Sequence, residues 1–315
     1  MMRLRWPDVH IALILPAVAG MLLLILLAGC ERAPEQTSAG PSYGTLPAGN
    51  DKPAYSFAVH PLHNPNRLFE RYQPLIDHLN QALPEARFVL EASRDYQDFE
   101  RKFRERKPAF ILPNPWQTLK AMEVGYRVQA MAGDASDFKG IFIVRRDSSI
   151  RAPTDLKGKS VSYPSPTALA ACILPQYWLH DQGIDVNRET HSRYVGSQES
   201  AIMNVFLRET DAGATWPPPW RAFQKEHPRE AAELVQIWET STLPNNSVMA
   251  RDDIPATIVA RVRAVLVGLE NAPGGKAILG GMETARFHPA DDGTYAVVRN
   301  FIASFEKAVR PVEMP

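Results

Sequence analysis

Tyr163-Pro164-Ser165-Pro166-Thr167-Ala168-Leu169-Ala170 is the stretch on which the rest of the chain turns. A short run, Lys159-Ser160-Val161-Ser162, precedes it and reads as a strand, and a helix is expected after it to about Gln182. Ser165 is a preferred N-cap, and Pro166 then falls at N1, where a missing N–H costs nothing. Thr167, Ala168 and Leu169 would follow with backbone N–H groups that have no carbonyl to pair with. Those donors, the positive end of the helix dipole and the two hydroxyls make a candidate oxyanion site. The plainer reading of the same residues is a well-capped helix and nothing more.

Outward from this stretch, strands alternate with helices. On the N-terminal side, residues 54–59 read as a strand. Asn64 then caps a helix with Pro65 at N1, and Leu68, Tyr72, Leu75, Ile76, Leu79 and Leu83 recur along it at spacings of three and four. Residues 87–90 and 109–112 are further strands, with a charged helix over about 95–106 between them. Pro113-Asn114-Pro115 ends the second strand, a helix over 116–124 follows, and strands are expected near 127–132 and 141–145. On the C-terminal side, Gly183 closes the helix, which Pro175 should kink. A strand near 193–195, a helix over 197–207 and a strand over 212–215 come next, and Trp216-Pro217-Pro218-Pro219-Trp220 breaks the pattern. A strand over 234–238 leads to Leu243-Pro244-Asn245-Asn246, and the end reads as mainly helical, over 255–269, 274–280 and 295–309. Such alternation argues for parallel or mixed sheets, whose ligands bind where loops and helix N-termini converge at strand ends.

The first residues are an address. Arg3 and Arg5 open a basic segment, an apolar run follows over 11–27, and Leu27-Ala28-Gly29-Cys30 closes it in the manner of an export signal. The close is similar to the lipobox of bacterial lipoproteins, a resemblance that implies a signal peptide over 1–29, cleavage before Cys30 and lipid on its thiol. Residues 30–52 are polar and rich in Pro, Gly, Ser and Thr, and read as a flexible tether. The body that follows, of length suited to two domains, carries no cofactor motif. Across the chain 35 Lys and Arg balance 35 Asp and Glu, so no net field draws it to nucleic acid. Beyond Cys30 the one other cysteine is Cys172, among Ala170, Ala171, Ile173 and Leu174, which reads as a small core residue without a disulfide partner.

From about Tyr55 onward the chain resembles the phosphate/phosphite/phosphonate family of ABC-transporter substrate-binding proteins. The resemblance is carried by the Asn64-Pro65 helix, Ala92-Ser93-Arg94-Asp95-Tyr96, Pro113-Asn114, Asp155-Leu156-Lys157-Gly158-Lys159 and the Pro164–Thr167 segment. Gly196-Ser197-Gln198-Glu199, Thr210-Asp211-Ala212 and Ile237-Trp238…Leu243-Pro244 continue it in order. It implies an α/β, two-lobed periplasmic binding protein, type II-like, with the second lobe inserted between two crossover strands. The first lobe would comprise 53–148 and 237–315, the second 149–236, with hinges near 147–150 and 239–244. It further implies a monomer, lipid-anchored at the periplasmic face, that closes on a small oxyanion and serves an ABC permease in the inner membrane, with no cofactor.

By the same resemblance Tyr96 matches a ligand-contacting tyrosine, and Ser165, Thr167 and Ala168 match a Ser/Thr-rich helix N-terminus that holds the oxyanion. The family's Ser-Thr-Ser-Gly run is absent, Gln198 stands where a histidine is common, and Glu199 retains an acid. Pro218 and Asn246 stand where aminophosphonate binders place carboxylates, which argues against an aminoalkyl ligand. Asn114, Trp116, Trp216 and Asn246 complete the candidate ligand set, with Trp220 also expected near the cleft.

Each candidate has a duller alternative. Tyr96, Trp116 and Trp216 are also what a core would use. Glu199 suits any helix N-terminus, and Asn245-Asn246 suits any turn. His60 and His63 lack a third metal ligand nearby in sequence. Two rival functions remain open. One is a lipid-tethered sensor on the same fold, read by a membrane kinase. The other is an enzyme, for which no Gly-x-Ser-x-Gly, phosphate-loop or His-Glu-x-x-His motif is present.

Overall fold

In the computed structural model, which describes residues 52–312, two mixed β-sheets organise the chain. The expectations for the signal peptide, Cys30 and the tether up to residue 51 lie outside those residues. The first series runs β1 (Ala54–Val59), α1 (Pro65–Ala82), β2 (Arg87–Glu91), α2 (Tyr96–Arg104), β3 (Phe110–Leu112), α3 (Pro115–Glu123) and β4 (Tyr126–Ala132). The second runs β5 (Ile141–Arg145), β6 (Ser160–Tyr163), α4 (Leu174–Asp181), β7 (His191–Tyr194), α5 (Gln198–Phe206), β8 (Ala212–Thr215), α6 (Pro217–Glu226), α7 (Pro228–Ala232) and β9 (Leu234–Glu239). The chain then returns with β10 (Ser247–Arg251), α8 (Ala256–Gly268), α9 (Gly275–Gly281), β11 (Phe287–Pro289) and α10 (Ala296–Ala308).

Six strands form the first sheet in the order β11-β4-β10-β3-β1-β2, and five form the second in the order β7-β6-β8-β5-β9. Strands joined through helices, β1 with β2 and β3, and β6 with β7 and β8, pair in parallel. Strands next to the crossings, β4 with β10 and β5 with β9, pair antiparallel. The sheets define two lobes, and the chain passes between them twice, over 133–140 and 240–246. Those crossings are bonded to each other. Gly140 N donates to Thr240 Oγ1 and Thr240 N to Gly140 O, each at 2.9 Å, and Leu243 N donates to Phe138 O at 3.1 Å. At the first departure Gly133 adopts φ +87°, and a Cβ there would lie 2.8 Å from Asn245 Nδ2. The left-handed backbone and the close approach both call for glycine.

This layout moves one expected boundary. β5, assigned above to the first lobe, pairs with β8 and β9 and belongs to the second sheet. The turn at 146–149, where the resemblance put the division, lies past β5, within the second lobe. The crossings are at 133–140 and 240–246, so the expected hinge at 147–150 is displaced while the one at 239–244 is nearly kept.

The α1 helix forms as its sequence dictates. Asn64 Oδ1 accepts from Arg67 N, Pro65 sits in the first turn, and Leu68, Tyr72, Leu75, Ile76 and Leu79 are buried. Each such side chain contributes up to about 1.5–3 kcal/mol by leaving water. In the second lobe Phe142, Trp178 and Trp238 form a trio with centroids 5.3–5.7 Å apart, tying α4 to β5 and β9. Trp220 stacks on Phe223 at 5.9 Å in a separate core with Ile141, Ile143, Ile202 and Val205. It is not at the cleft, contrary to expectation, because α6 turns it onto the second sheet.

The prolines after Trp216 end the strand at Thr215, as expected, and then start a helix, since Pro217 supplies the first-turn φ and needs no partner for an N–H. Pro175 lies in the first turn of α4, directly after a π-helical turn over Leu169–Ile173. Ser247–Arg251, for which the sequence reading assigns no element, is the antiparallel strand β10 between β3 and β4. Tertiary pairing decides so short a segment.

Candidate functional site

Four side chains of the first lobe and four of the second meet in a buried polar seam. From the first lobe come Tyr96 and Glu100, one turn apart on α2, and Asn114 and Gln117 on α3. The second brings Ser165 and Thr167 after β6, Gln198 on α5 and Thr215 at the end of β8. None is more than 6 % exposed. The α2 helix begins where Asp95 accepts from Asp98 N, and it turns Tyr96, Phe99, Glu100 and Phe103 inward. Asn114 caps α3 in a capping box with Gln117.

Hydrogen bonds join the lobes through this seam. Asn114 Nδ2 donates to Thr167 O at 3.0 Å, and Thr167 Oγ1 donates to Glu100 Oε1 at 2.7 Å. Gln117 Nε2 also reaches Glu100 Oε1, at 3.1 Å, and the Ser165 and Thr167 hydroxyls lie 3.1 Å apart. Gln198 bridges the other way: its Nε2 donates to Tyr96 OH at 3.3 Å and its Oε1 accepts from Thr215 Oγ1 at 2.9 Å. Burial raises the Glu100 carboxyl above the usual carboxylate range against the pull of the Gln117 and Thr167 hydrogen bonds, and burial raises the Tyr96 phenol.

The decisive stretch departs from expectation in one respect. Ser165 does not cap a helix, and Pro166 is not its first residue. Residues 165–168 form a turn closed by Ala168 N on Ser165 O, and a π-helical turn begins at Leu169 with Ala168 as its cap. The amides of Cys172 and Ile173 both bond to Ala168 O. The amides ahead of them therefore begin at Leu169, so the N-terminal donor set lies two residues later than expected. Ala168 has no side chain to cap with, and Pro175 supports the delayed start because α4 cannot bond through its nitrogen. Behind this turn Arg310 holds it in place, Nη2 to Pro166 O at 2.9 Å and Nε to Gln176 Oε1 at 2.9 Å.

A second part of the cleft lies beside the crossings. A small cavity of about 20 Å³ is lined by residues of both lobes, among them His63, Tyr72, Trp216, Pro218 and Asn246. Trp216 rests edge-on against Phe138 of the first crossing at 5.6 Å, and Asn246 Oδ1 is buried without a partner. An open groove of about 190 Å³ between Tyr96, Gln97, Ser165 and Tyr194 forms the outer mouth.

Not every candidate joins the site. Trp116 is buried and lines neither of these two cavities. Glu199 lies at the rim, 3.3 Å from His227 Nε2 within the second lobe. His60 is buried with Nδ1 donating to Leu112 O at 2.8 Å, and burial lowers its pKa to about 4. Burial, with Arg71 next, lowers His63 to about 3, so neither brings positive charge at neutral pH. Among the described residues no three His, Cys, Asp or Glu gather as a metal site. Reciprocal ion pairs line the rim: Glu226 of the second lobe meets Arg67 and Arg71 of the first, and Glu283 of the first meets Arg221 and Lys225 of the second. At such partly exposed sites each pair contributes about 0–1 kcal/mol.

Glu100 and Gln117 were missed by the sequence reading. Glu100 stood on the apolar stripe of α2, four residues after Tyr96, and a carboxylate at a core position was the available signal. Gln117 stood at the capping-box position after Asn114.

The profile of the family described as "ABC transporter, phosphonate, periplasmic substrate-binding protein" matches residues 57–295. The Phosphonates-binding periplasmic protein of Escherichia coli is 22% identical over 224 residues, 62% of this chain and 66% of that protein. The Tetrathionate sensor histidine kinase TtrS of Salmonella typhimurium is 26% identical over 161 residues, 47% of this chain but only 26% of the kinase. Among solved structures, a binding component of an ABC phosphonate transporter from Pseudomonas aeruginosa superposes with TM-score 0.75 at 16% identity, covering 82% of this chain and 88% of that one. A Prochlorococcus marinus protein solved with methylphosphonate gives 0.73 at 18%, covering 82% and 100%. The fold is thus the two-lobed α/β periplasmic binding-protein fold, type II-like, with mixed sheets. It belongs to components that bind and do not catalyse. By the extent of the profile match, the chain belongs to the phosphonate family of ABC-transporter periplasmic substrate-binding proteins.

Proposed function

We propose that the protein captures a small oxyanion, phosphonate-, phosphite- or phosphate-like, between its lobes and presents it to an ABC permease of the inner membrane, while lipid on Cys30 keeps it at the periplasmic face. The observation that supports this most is the seam itself. Thr167, Ser165 and Gln198 of one lobe and Tyr96, Asn114 and Gln117 of the other converge as hydrogen-bonding groups, with the amides from Leu169 close by in the chain. Asn246 and Trp216 beside the crossings line a cavity with room for a small substituent, and its two carboxylates, Asp137 and Glu283, are already paired with Arg221. A ligand touched by both lobes favours the closed arrangement, because one with equal affinity for open and closed states would shift nothing.

Isothermal titration with phosphate, phosphite, methylphosphonate and 2-aminoethylphosphonate tests the proposal. Each charge-assisted hydrogen bond contributes about 1.5–3 kcal/mol, so Thr167→Ala should weaken binding by roughly ten- to a hundredfold. The aminoalkyl ligand should bind worst of the four. Equal affinity in wild type and Thr167→Ala would remove the turn from the site. For the anchor, Cys30→Ser should abolish lipid attachment and signal cleavage together, read by mass spectrometry of the mature N-terminus.

A second reading draws on the similarity to the sensor kinase. In it the site and ligand class are kept, and the closed form is read by a membrane kinase. Deleting the chain would then alter transcription in response to the ligand and leave uptake of the labelled ligand intact.

A further inference from the structure

Among the described residues, three buried side-chain atoms lack a hydrogen-bond partner: Glu100 Oε2, Tyr163 OH and Asn246 Oδ1. Of these residues Asn246, only 3 % exposed, is the one that lines the cavity beside the crossings. A buried acceptor left unpaired is costly, so a native structure that keeps one calls for a reason. Looseness is not the reason, because everything around Asn246 is fastened. Its own N–H donates to Asn245 Oδ1 at 2.8 Å, and its carbonyl accepts from Ala132 N at 2.7 Å. Asn245 Nδ2 donates to Asp134 O, the Tyr295 hydroxyl donates to Asn245 O, and Ser247 Oγ lies 2.7 Å from Thr118 Oγ1. The two asparagines thus differ in task. Asn245 ties the second crossing to the first, and the Asn246 carboxamide is left to the cavity.

We propose that Asn246 reads a hydroxyl on the ligand's substituent, so that the preferred oxyanion carries a one- or two-carbon arm ending in a neutral O–H, as in hydroxymethyl- or 2-hydroxyethylphosphonate. This rests on the oxyanion reading and names the ligand class within it. The chain itself sets the cavity next to the seam: Asn114 and Thr215 stand in the seam, and Leu112 and Trp216, two residues and one residue away, line the cavity. At about 3.8 Å per residue the two lie within roughly 4–7 Å, a reach that such an arm spans. Size limits the arm. A void needs about 10–15 Å³ to take one water-sized group, and the cavity of about 20 Å³ therefore admits one terminal group. Charge then selects among terminal groups. Asp137 and Glu283, the carboxylates of the lining, are paired with Arg221, so an ammonium would be buried without a free counter-ion. A hydroxyl brings no charge to desolvate. It both donates and accepts, and so satisfies the carboxamide in either orientation, which a methyl group cannot do.

The test is titration calorimetry of wild type and Asn246→Leu with two isosteric pairs, hydroxymethyl- against ethylphosphonate and 2-hydroxyethyl- against propylphosphonate. In at least one pair wild type should bind the hydroxyalkyl ligand about tenfold or more tightly than its alkyl isostere, because the isostere leaves the Asn246 oxygen unpaired. For the same arm length, 2-aminoethylphosphonate should bind more weakly than 2-hydroxyethylphosphonate. Asn246→Leu keeps the volume of the side chain and removes its polar atoms, so the ratio within the pair should fall to about one or reverse in favour of the alkyl ligand. Equal affinity within both pairs in wild type overturns the inference and leaves the oxyanion site standing. A hydroxyl preference that survives undiminished in Asn246→Leu overturns it as well, since the O–H would then be read elsewhere. Failure of wild type to bind any phosphonate or other oxyanion overturns both readings. Should Asn246→Leu not fold, Asn246→Ala gives the same comparison, and the wild-type pairs alone can refute the inference.

Discussion

Phe142→Ala should destabilise the protein by about 3–5 kcal/mol, among the largest effects expected of any single substitution in the second lobe. Phe142 has no exposed surface, and its ring lies 5.3 Å from that of Trp178 and 5.7 Å from that of Trp238. Truncation removes the burial of a whole phenyl group and leaves a hollow that two large indoles cannot readily fill. It also removes two aromatic contacts, each worth about 0.5–1.5 kcal/mol beyond area. For a body of this size the melting temperature should fall by about 10 °C, read by circular dichroism. The damage reaches the cleft, because Trp178 is on α4 and the π-helical turn at Leu169 runs directly into that helix. Ligand affinity should therefore fall together with stability. A loss under about 1 kcal/mol would mean that the trio is not a packed core.

Lowering the pH should uncover a second large term, centred on His60. Its Nδ1 donates to Leu112 O, and the ring is set between Tyr96 and Phe99 with centroids 6.1 and 6.3 Å away. Burial holds its pKa near 4 in the folded protein, against 6.5 for an unperturbed histidine. Between those values the unfolded chain binds a proton that the folded one does not. Stability is therefore complete above about pH 6.5 and is lost as the pH falls toward 4. The loss is on the order of 3 kcal/mol for this residue. His63, lowered to about 3, adds a similar loss over an overlapping window. The contribution of His60 is thus the difference between wild type and His60→Asn, which retains a donor near the Nδ1 position. Denaturant unfolding at pH 7 and pH 4.5 should give a smaller loss of stability on acidification in the variant. Equal losses would show that the buried imidazole is not the responsible group.

How much of this was legible depended on whether local chemistry or tertiary contact fixed the residue. Asn64-Pro65 and the three- and four-residue spacing from Leu68 specify α1 by themselves, since cap, first turn and buried face all lie within one segment. Asn114 and Ser197 cap their helices by the same local chemistry. The start of the helix after β6 was not legible, because Ser165 carries every local sign of a cap and yet faces Thr167 and the first lobe. β10 is a strand because β3 and β4 flank it, and nothing within Ser247–Arg251 says so. Tyr96, Thr167 and Gln198 entered as candidates through the family resemblance, and the fold brings them into one buried seam. Glu100 was hidden by its helix, whose charged residues otherwise face solvent. Its meaning emerges only where Thr167, 67 positions away, comes within 2.7 Å.

The paired crossings have a mechanical consequence. Gly140 and Thr240 exchange two hydrogen bonds, and Phe138 O takes a third from Leu243 N. Two short connections fastened side by side make a flexure, compliant to bending about the line that joins them and stiff to twist. Lobes hung on one loose strand would wander over many relative orientations and forfeit that freedom at each capture, at a cost that grows with every residue immobilised. In the proposed capture, a flexure would shrink the search for closure toward travel along a single arc. Tyr96 and Glu100 would then meet the Thr167 turn in register each time the arc is swept, and the ligand would have little orientational disorder to overcome.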